Sequence, residues 1–275
     1  MPVTDADVER WLREDLGHHD VTNDVPGETT GRLVAKQPGV AAGLDAAVRV
    51  FEYLGCEASA LADAGERIDA GDTALRVDGD AQSVLRAERV AVNVAGHASG
   101  VATETRRAVD AAREVRDDVA IAGTRKTTPG LRGVEKRAVV AGGGDTHRLD
   151  LSHMVMVKDN HVAELGLEGA IERFRAAKSF ATKLEVEVEA PEDAPRAAEA
   201  GADIVLLDNT TPAETELAVD LLDGAALAEA SGGITVDDVP EYAATGVDVI
   251  SMGSLTHSAP SLDYSFRTAG GEEFA

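Results

Sequence analysis

From Val119 onward the chain alternates short apolar runs with polar or glycine-rich ends: Val119 to Ala122, Met154 to Val157, Leu184 to Val188, Ile204 to Leu207, Leu227 to Ala230 and Val247 to Ser251. Each run has strand length, and segments of helical period start near Pro191, Pro212 and Thr235 between the last four. Strands joined by helices run in the same direction, so the pattern predicts parallel strands in an open doubly wound sheet or a (β/α) barrel. A doubly wound sheet gathers its ligand groups at one switch point, whereas a barrel draws them from the C-terminal ends of several strands. Here the successive strand ends carry useful groups, which favours a barrel or an incomplete variant of one.

The first third mixes element types and predicts a small α+β domain. Thr4 caps a short helix with Val8, Trp11 and Leu12 on one face, and an extended stretch follows at 32–36. Gly65 and Gly71 bracket a strand and turn, and Val77-Asp78-Gly79-Asp80 reads as a second turn. From Ala81 to about Glu114 the period is helical, with Gly96 and Gly100 expected to break it into two helices.

Composition narrows the function classes. The 275 residues are 44% hydrophobic, enough for a large core, and one cysteine, Cys56, leaves no internal disulfide to form. A net charge of −24 argues against nucleic acid and anionic membranes as partners. The 20 Arg against 6 Lys among scattered acids suggest a salt-adapted surface. No stretch approaches the roughly 20 apolar residues that span a bilayer, and the start Met1-Pro2-Val3-Thr4-Asp5 lacks secretory features, so a cytoplasmic location is expected.

Against that acidity, residues 125–158 carry a net charge of +4 and three of the six lysines. Lys136 and Arg137 read as a solvated helix face. Arg125, Lys126, Arg148 and Lys158 lie at strand ends or beside glycine loops, where arginine forks and mobile lysines suit a strongly anionic ligand. Thr124 shares the first of these loops, and His147 stands ready to bond a ligand or orient Arg148. Glu187 and Asp208 end neighbouring strands, where they could hold Mg²⁺ through water or accept bonds from sugar hydroxyls; period alone does not separate Glu187 from Glu185 and Glu189. Ser231-Gly232-Gly233 and Gly253-Ser254 follow strands as phosphate-binding loops do, and Ser251 at the end of the second strand joins the candidate binding residues. Ala141-Gly142-Gly143-Gly144 follows a helix and lacks the setting of a dinucleotide site.

These residues resemble the quinolinate phosphoribosyltransferase family. The resemblance is carried by 122–132, Glu135-Lys136, Gly142 to Gly144, His147-Arg148 and Lys158-Asp159-Asn160-His161, and it extends from Glu14 to Gly17 and Asp20 to Thr22 through Glu88-Arg89, Asn93 and Ser99-Gly100 to Glu185 to Glu189, Leu207 to Asn209, Glu229 to Ile234 and Ile250 to Gly253. His153, where an acid is common, and His18-His19, in place of a glycine-rich turn, depart from the pattern.

The resemblance implies an N-terminal α/β sandwich over 1–110, an open TIM-like (β/α) barrel over 111–255, and a segment 256–275 packing back on the first domain. It implies transfer of phosphoribose from phosphoribosyl pyrophosphate to quinolinate with loss of CO₂, in NAD biosynthesis. Arg125, Arg148 and Lys126 would hold the two carboxylates, Lys158 the phosphoribosyl pyrophosphate, Glu187 and Asp208 its ribose and Mg²⁺, and the glycine loops its 5-phosphate. Arg89 would complete the neighbouring site in a homodimer or a hexamer of dimers. The competing readings are a paralogue that takes another pyridine acid or serves metal-oxyanion transport, a barrel aldolase with Lys158 as Schiff base, and a non-catalytic phosphosugar-binding protein.

Overall fold

The computed structural model describes residues 2–268. In chain order they form α1 (Asp5–Leu16), β1 (Glu28–Ala35), β2 (Gly39–Val40), α2 (Leu44–Tyr53), β3 (Glu57–Ala60), β4 (Arg67–Ile68), β5 (Thr73–Asp80) and α3 (Ala81–Arg113). Then follow β6 (Ala120–Gly123), α4 (Arg132–Gly142), β7 (Val155–Val157), α5 (Asp159–Leu165), α6 (Leu167–Ala177), β8 (Leu184–Val188), α7 (Asp193–Ala200) and β9 (Ile204–Asp208). The last elements are α8 (Pro212–Leu222), β10 (Leu227–Ser231), α9 (Val239–Ala243), β11 (Val249–Met252), α10 (Ser254–His257) and β12 (Tyr264–Thr268). Two compact units result. One gathers the chain up to Arg106, Thr128–Gly143 and the segment from Ala259; the other gathers Arg107–Thr127 and Gly144–Ser258.

In the first unit an antiparallel sheet has the order β12-β1-β5-β3. Thr4 caps α1 reciprocally with Asp7, and Val8 and Leu12 on the helix are buried. α2 buries Leu44, Ala46, Ala47, Val50 and Phe51 in the same core. Two sequence expectations fail here for one reason. Gly96 and Gly100 do not break α3, which is continuous; a Cβ at Gly96 would lie 3.0 Å from Leu262 O, and one at Gly100 2.9 Å from Ser261 Cα. The 77–80 stretch is not a turn but the end of β5, where a Cβ at Gly79 would lie 3.1 Å from Cys56 Sγ. These glycines admit a close neighbour instead of bending the chain. Gly65 and Gly71, with φ of +94° and +101°, do turn it.

The second unit is a parallel sheet of order β6-β11-β10-β9-β8-β7, in which the six strands succeed one another around a ring that is unpaired between its first two, β6 and β7. Asp145 extends the β6 edge through a parallel bridge to Ala122. The side-chain period of two explains acids inside strands: Leu184, Val186 and Val188, Val205 and Leu207, and Ala228 and Ala230 belong to the core shared with the helices, while Glu185, Glu187, Leu206 and Glu229 take the alternate positions.

The expected division put 111–255 in one body. Thr128–Gly143 instead clusters with the first unit, because Val134, Ala138 and Val139 of α4 join its core. Lys136 on this helix is buried, not solvated, and Arg137 donates to Asp45 at 2.7 Å. Of the expected 256–275 segment, β12 pairs antiparallel with β1, and residues from 269 on lie outside the described residues.

Candidate active site

A cavity of about 430 Å³ opens within the second unit, at the C-terminal ends of the parallel strands. Thr124, Arg125 and Lys126 follow β6. Lys126 N–H donates to Thr124 Oγ1 at 3.1 Å, and the Lys126 carbonyl accepts from Thr256 Oγ1 at 2.6 Å, which ties the loop to α10. Gly253 packs closely beside it, where a Cβ would lie 2.9 Å from Lys126 Cδ. Lys158 ends β7 and donates from Nζ to Glu187 Oε2 of β8 at 2.5 Å. Asp208 ends β9, with Oδ2 accepting from Asn209 Nδ2 at 2.7 Å. Ser231-Gly232-Gly233 leaves β10 with φ of +103° and +66° at the two glycines. A Cβ at Gly232 would lie 2.6 Å from Asn209 N, so both backbone approach and conformation require glycine there.

His147 and Arg148 enter the cavity from the segment after α4. His147 has a φ of +51°, rare for a non-glycine residue, and its N–H donates to Asp145 Oδ1 at 2.5 Å. Its Nε2 lies 3.1 Å from Glu229 Oε2 and 3.4 Å from Glu185 Oε2, two fully buried acids of β10 and β8. Burial alone would lower the imidazole pKa, but the two carboxylates outweigh it and push it up to about 10. Burial raises the Glu185 carboxyl, opposed by the His147 hydrogen bond. Arg148 is buried, its Nη2 points to Met156 Sδ at 2.9 Å, and its Nε and that of Arg125 have no hydrogen-bond partner among the described residues. Such orphaned donors suit an incoming anion. Burial, then the Glu187 charge, raises the Asp208 carboxyl.

Every site residue expected from the sequence lines this cavity except Arg89, which lies on α3 in the first unit with an exposed side chain. Position decides among the three β8 acids: Glu187 reaches the cavity, Glu185 lies buried toward His147, and Glu189 is exposed beyond the strand end. Four of the seven cations of 125–158, namely Arg125, Lys126, Arg148 and Lys158, line the cavity, whereas Arg132, Lys136 and Arg137 belong to α4. Sequence reasoning missed Glu229, which lines the floor. Its signal was a lone acid between alanines in the strand Leu-Ala-Glu-Ala-Ser. Of the departures from the expected motif, His153 accepts from Leu149 N–H at 3.3 Å and is exposed, as are His18 and His19. Cys56 is a buried free thiol, raised by burial.

No helix among the described residues is long and apolar enough to cross a membrane. Family models for the N-terminal and C-terminal domains of quinolinate phosphoribosyl transferase match residues 19–99 and 101–267. A probable nicotinate-nucleotide pyrophosphorylase [carboxylating] of Methanothermobacter thermautotrophicus is 43% identical, with 96% of this chain and 98% of that protein covered. The human nicotinate-nucleotide pyrophosphorylase [carboxylating] is 43% identical, with 97% and 92% covered. Among solved structures, NadC from Streptococcus pyogenes superposes with a TM-score of 0.89 at 38% identity, covering 97% of this chain and 98% of that one.

Proposed function

Since the chain belongs to the quinolinate phosphoribosyltransferase family, we propose that it converts quinolinate and phosphoribosyl pyrophosphate to nicotinate mononucleotide, pyrophosphate and CO₂, a step of NAD biosynthesis. The observation that carries this reading is the convergence of Arg125, Lys126, Arg148 and Lys158 on one cavity of a chain whose net charge is −24. Both substrates are polyanions, and four cations gather in this one cavity of a lysine-poor, acidic chain.

Arg125, Arg148 and Lys126 hold the two quinolinate carboxylates, with the orphaned Nε groups of both arginines available to them. Lys158 holds the phosphoribosyl pyrophosphate, and the loops at Gly232-Gly233 and Gly253 receive its 5-phosphate on backbone N–H groups. The pyridine nitrogen attacks the anomeric carbon as its bond to pyrophosphate breaks. Positive charge develops on the sugar in that step, and Glu187 and Asp208, on adjacent strands, lie near it. The pyridinium then accepts the electron pair released when the adjacent carboxylate leaves as CO₂, and that ring carbon takes up a proton. A dry cavity favours this loss, because water stabilises the carboxylate more than the charge-dispersed state that follows.

Two carboxylates and substrate phosphates are the hard oxygen donors that Mg²⁺ prefers, so Glu187 and Asp208 fit a Mg²⁺ carried in with phosphoribosyl pyrophosphate. When bound it neutralises charge on the departing pyrophosphate. The ion pair of Lys158 with Glu187 favours the charged ammonium, which supports a phosphate-binding cation over a Schiff base. Exposed Arg89 reaches a neighbouring subunit's site in a homodimer or a hexamer built from dimers, and the acidic, lysine-poor surface suits a cytoplasm of high salt.

Incubation with quinolinate, phosphoribosyl pyrophosphate and Mg²⁺ tests the reaction. Equal release of CO₂ and pyrophosphate is expected, with nicotinate failing to replace quinolinate. Pyrophosphate release with nicotinate but not quinolinate would assign the chain to a different pyridine acid.

A further inference from the structure

The buried acids behind His147 have no task in the reaction as described. We propose that Glu229, with Glu185, is a positioning residue that clamps the His147 ring and keeps it cationic on the floor of the cavity, as a fixed fifth positive group for the dicarboxylate. This rests on the assignment of quinolinate as substrate.

The geometry is over-determined. The His147 backbone is held at φ +51° with its N–H on Asp145 Oδ1. Nε2 then lies within 3.4 Å of carboxylate oxygens from two strands, β8 and β10. A ring nitrogen facing two carboxylates must carry its proton, which leaves Nδ1 as the other polar atom of the ring. Both Glu185 oxygens and Glu229 Oε1 are buried without any other hydrogen bond, so the clamp has no second function in holding the strands. A pair of buried acids beside an empty-handed ring would be costly to fold, whereas an imidazolium between them offsets their charge.

A second cavity, about 330 Å³, is also lined by His147 and Glu229. The pair therefore borders both cavities. The charged groups around the ring are Asp145 on its own segment, Glu185 and Glu187 on β8, Glu229 on β10, Arg125 after β6, Arg148 beside it, and His153 and Lys183 in the second cavity. The carboxylates raise the imidazole, so the cation is present at neutral pH and lost only as pH rises through about 10.

The test is Glu229→Gln in the full chain, with Glu229→Asp as the conservative variant and Glu185→Gln as the second probe should the first not fold. Expected for Glu229→Gln is a rise of about tenfold or more in KM for quinolinate, little change in KM for phosphoribosyl pyrophosphate, and an alkaline limb of kcat/KM for quinolinate that moves to lower pH. Glu229→Asp recovers part of both. In ¹⁵N-histidine spectra of the unliganded protein, the His147 signal stays that of an imidazolium at pH 8 and loses that form in Glu229→Gln. An unchanged quinolinate KM and pH profile in a folded variant would overturn the clamp, as would an equal rise in both KM values. Retention of added Zn²⁺ by the wild type and its loss in Glu229→Gln would overturn it too, by making the trio a metal site. The spectra do not depend on turnover, so an inactive wild type would refute the substrate assignment while the histidine titration still judges the clamp.

Discussion

Lys158 Nζ and Glu187 Oε2 lie 2.5 Å apart, joining the ends of β7 and β8 across the cavity. The two groups assigned to opposite parts of the sugar phosphate thus satisfy each other before it arrives. Each partner is held in position by the other, and removal of either leaves the other without this ion pair.

Replacing Glu187 or Lys126 by alanine is expected to lower kcat by a hundredfold or more, taking about 3 kcal/mol for a contact made in the transition state. Steady-state rates on purified, folded variants check this, and near-normal turnover in either would remove that residue from the catalytic set.

Gly100→Ala should destabilise the first unit by about 1–3 kcal/mol, because the new methyl group meets the backbone of Pro260 and Ser261. The midpoint of urea unfolding should fall. Gly232→Ala, strained by its φ of +103° as well as by Asn209, should instead raise KM for phosphoribosyl pyrophosphate. A Gly232→Ala variant with wild-type affinity would detach this loop from phosphate binding.

The Asp20 carboxylate accepts from Arg86 Nε at 2.8 Å and from the N–H groups of Thr22 and Asn23, and the Arg86 bond foremost holds its pKa well below the ordinary carboxylate value. A depressed folded-state pKa gives stability that is present above the unfolded value of about 3.9 and is lost as pH falls below it. Asp20→Asn should therefore lower Tm at pH 7, and the difference from the parent should shrink towards pH 3. A difference independent of pH would mean that the side chain acts through shape alone.

With a net charge of −24, both fold and activity are expected to weaken at low ionic strength, where self-repulsion is less screened. Thermal midpoints and initial rates between about 0.1 and 3 M KCl measure this. Full activity and an unchanged midpoint in dilute buffer would show an ordinary acidic surface.

The parallel strands were legible because Leu184 to Val188 and its counterparts combine strand length with polar ends, and the cations were legible because they gather in an otherwise acidic chain. What was not legible depends on distant partners. Gly100 reads as a helix breaker until Pro260 and Ser261 are seen against it. Val134, Ala138 and Val139 read as one more barrel helix, since nothing local tells which core they join. Glu229 reads as one acid among 50, and only the fold opposes it to His147.

Between β6 and β7 the ring is not closed by strand pairing. Asp145 bridges to the β6 side of that gap, and two residues on, His147 reaches Glu185 of β8 and Glu229 of β10. The gap thus contributes a cavity-lining histidine that no strand supplies, and an engineer who paired the sheet through it would replace the very segment that carries His147.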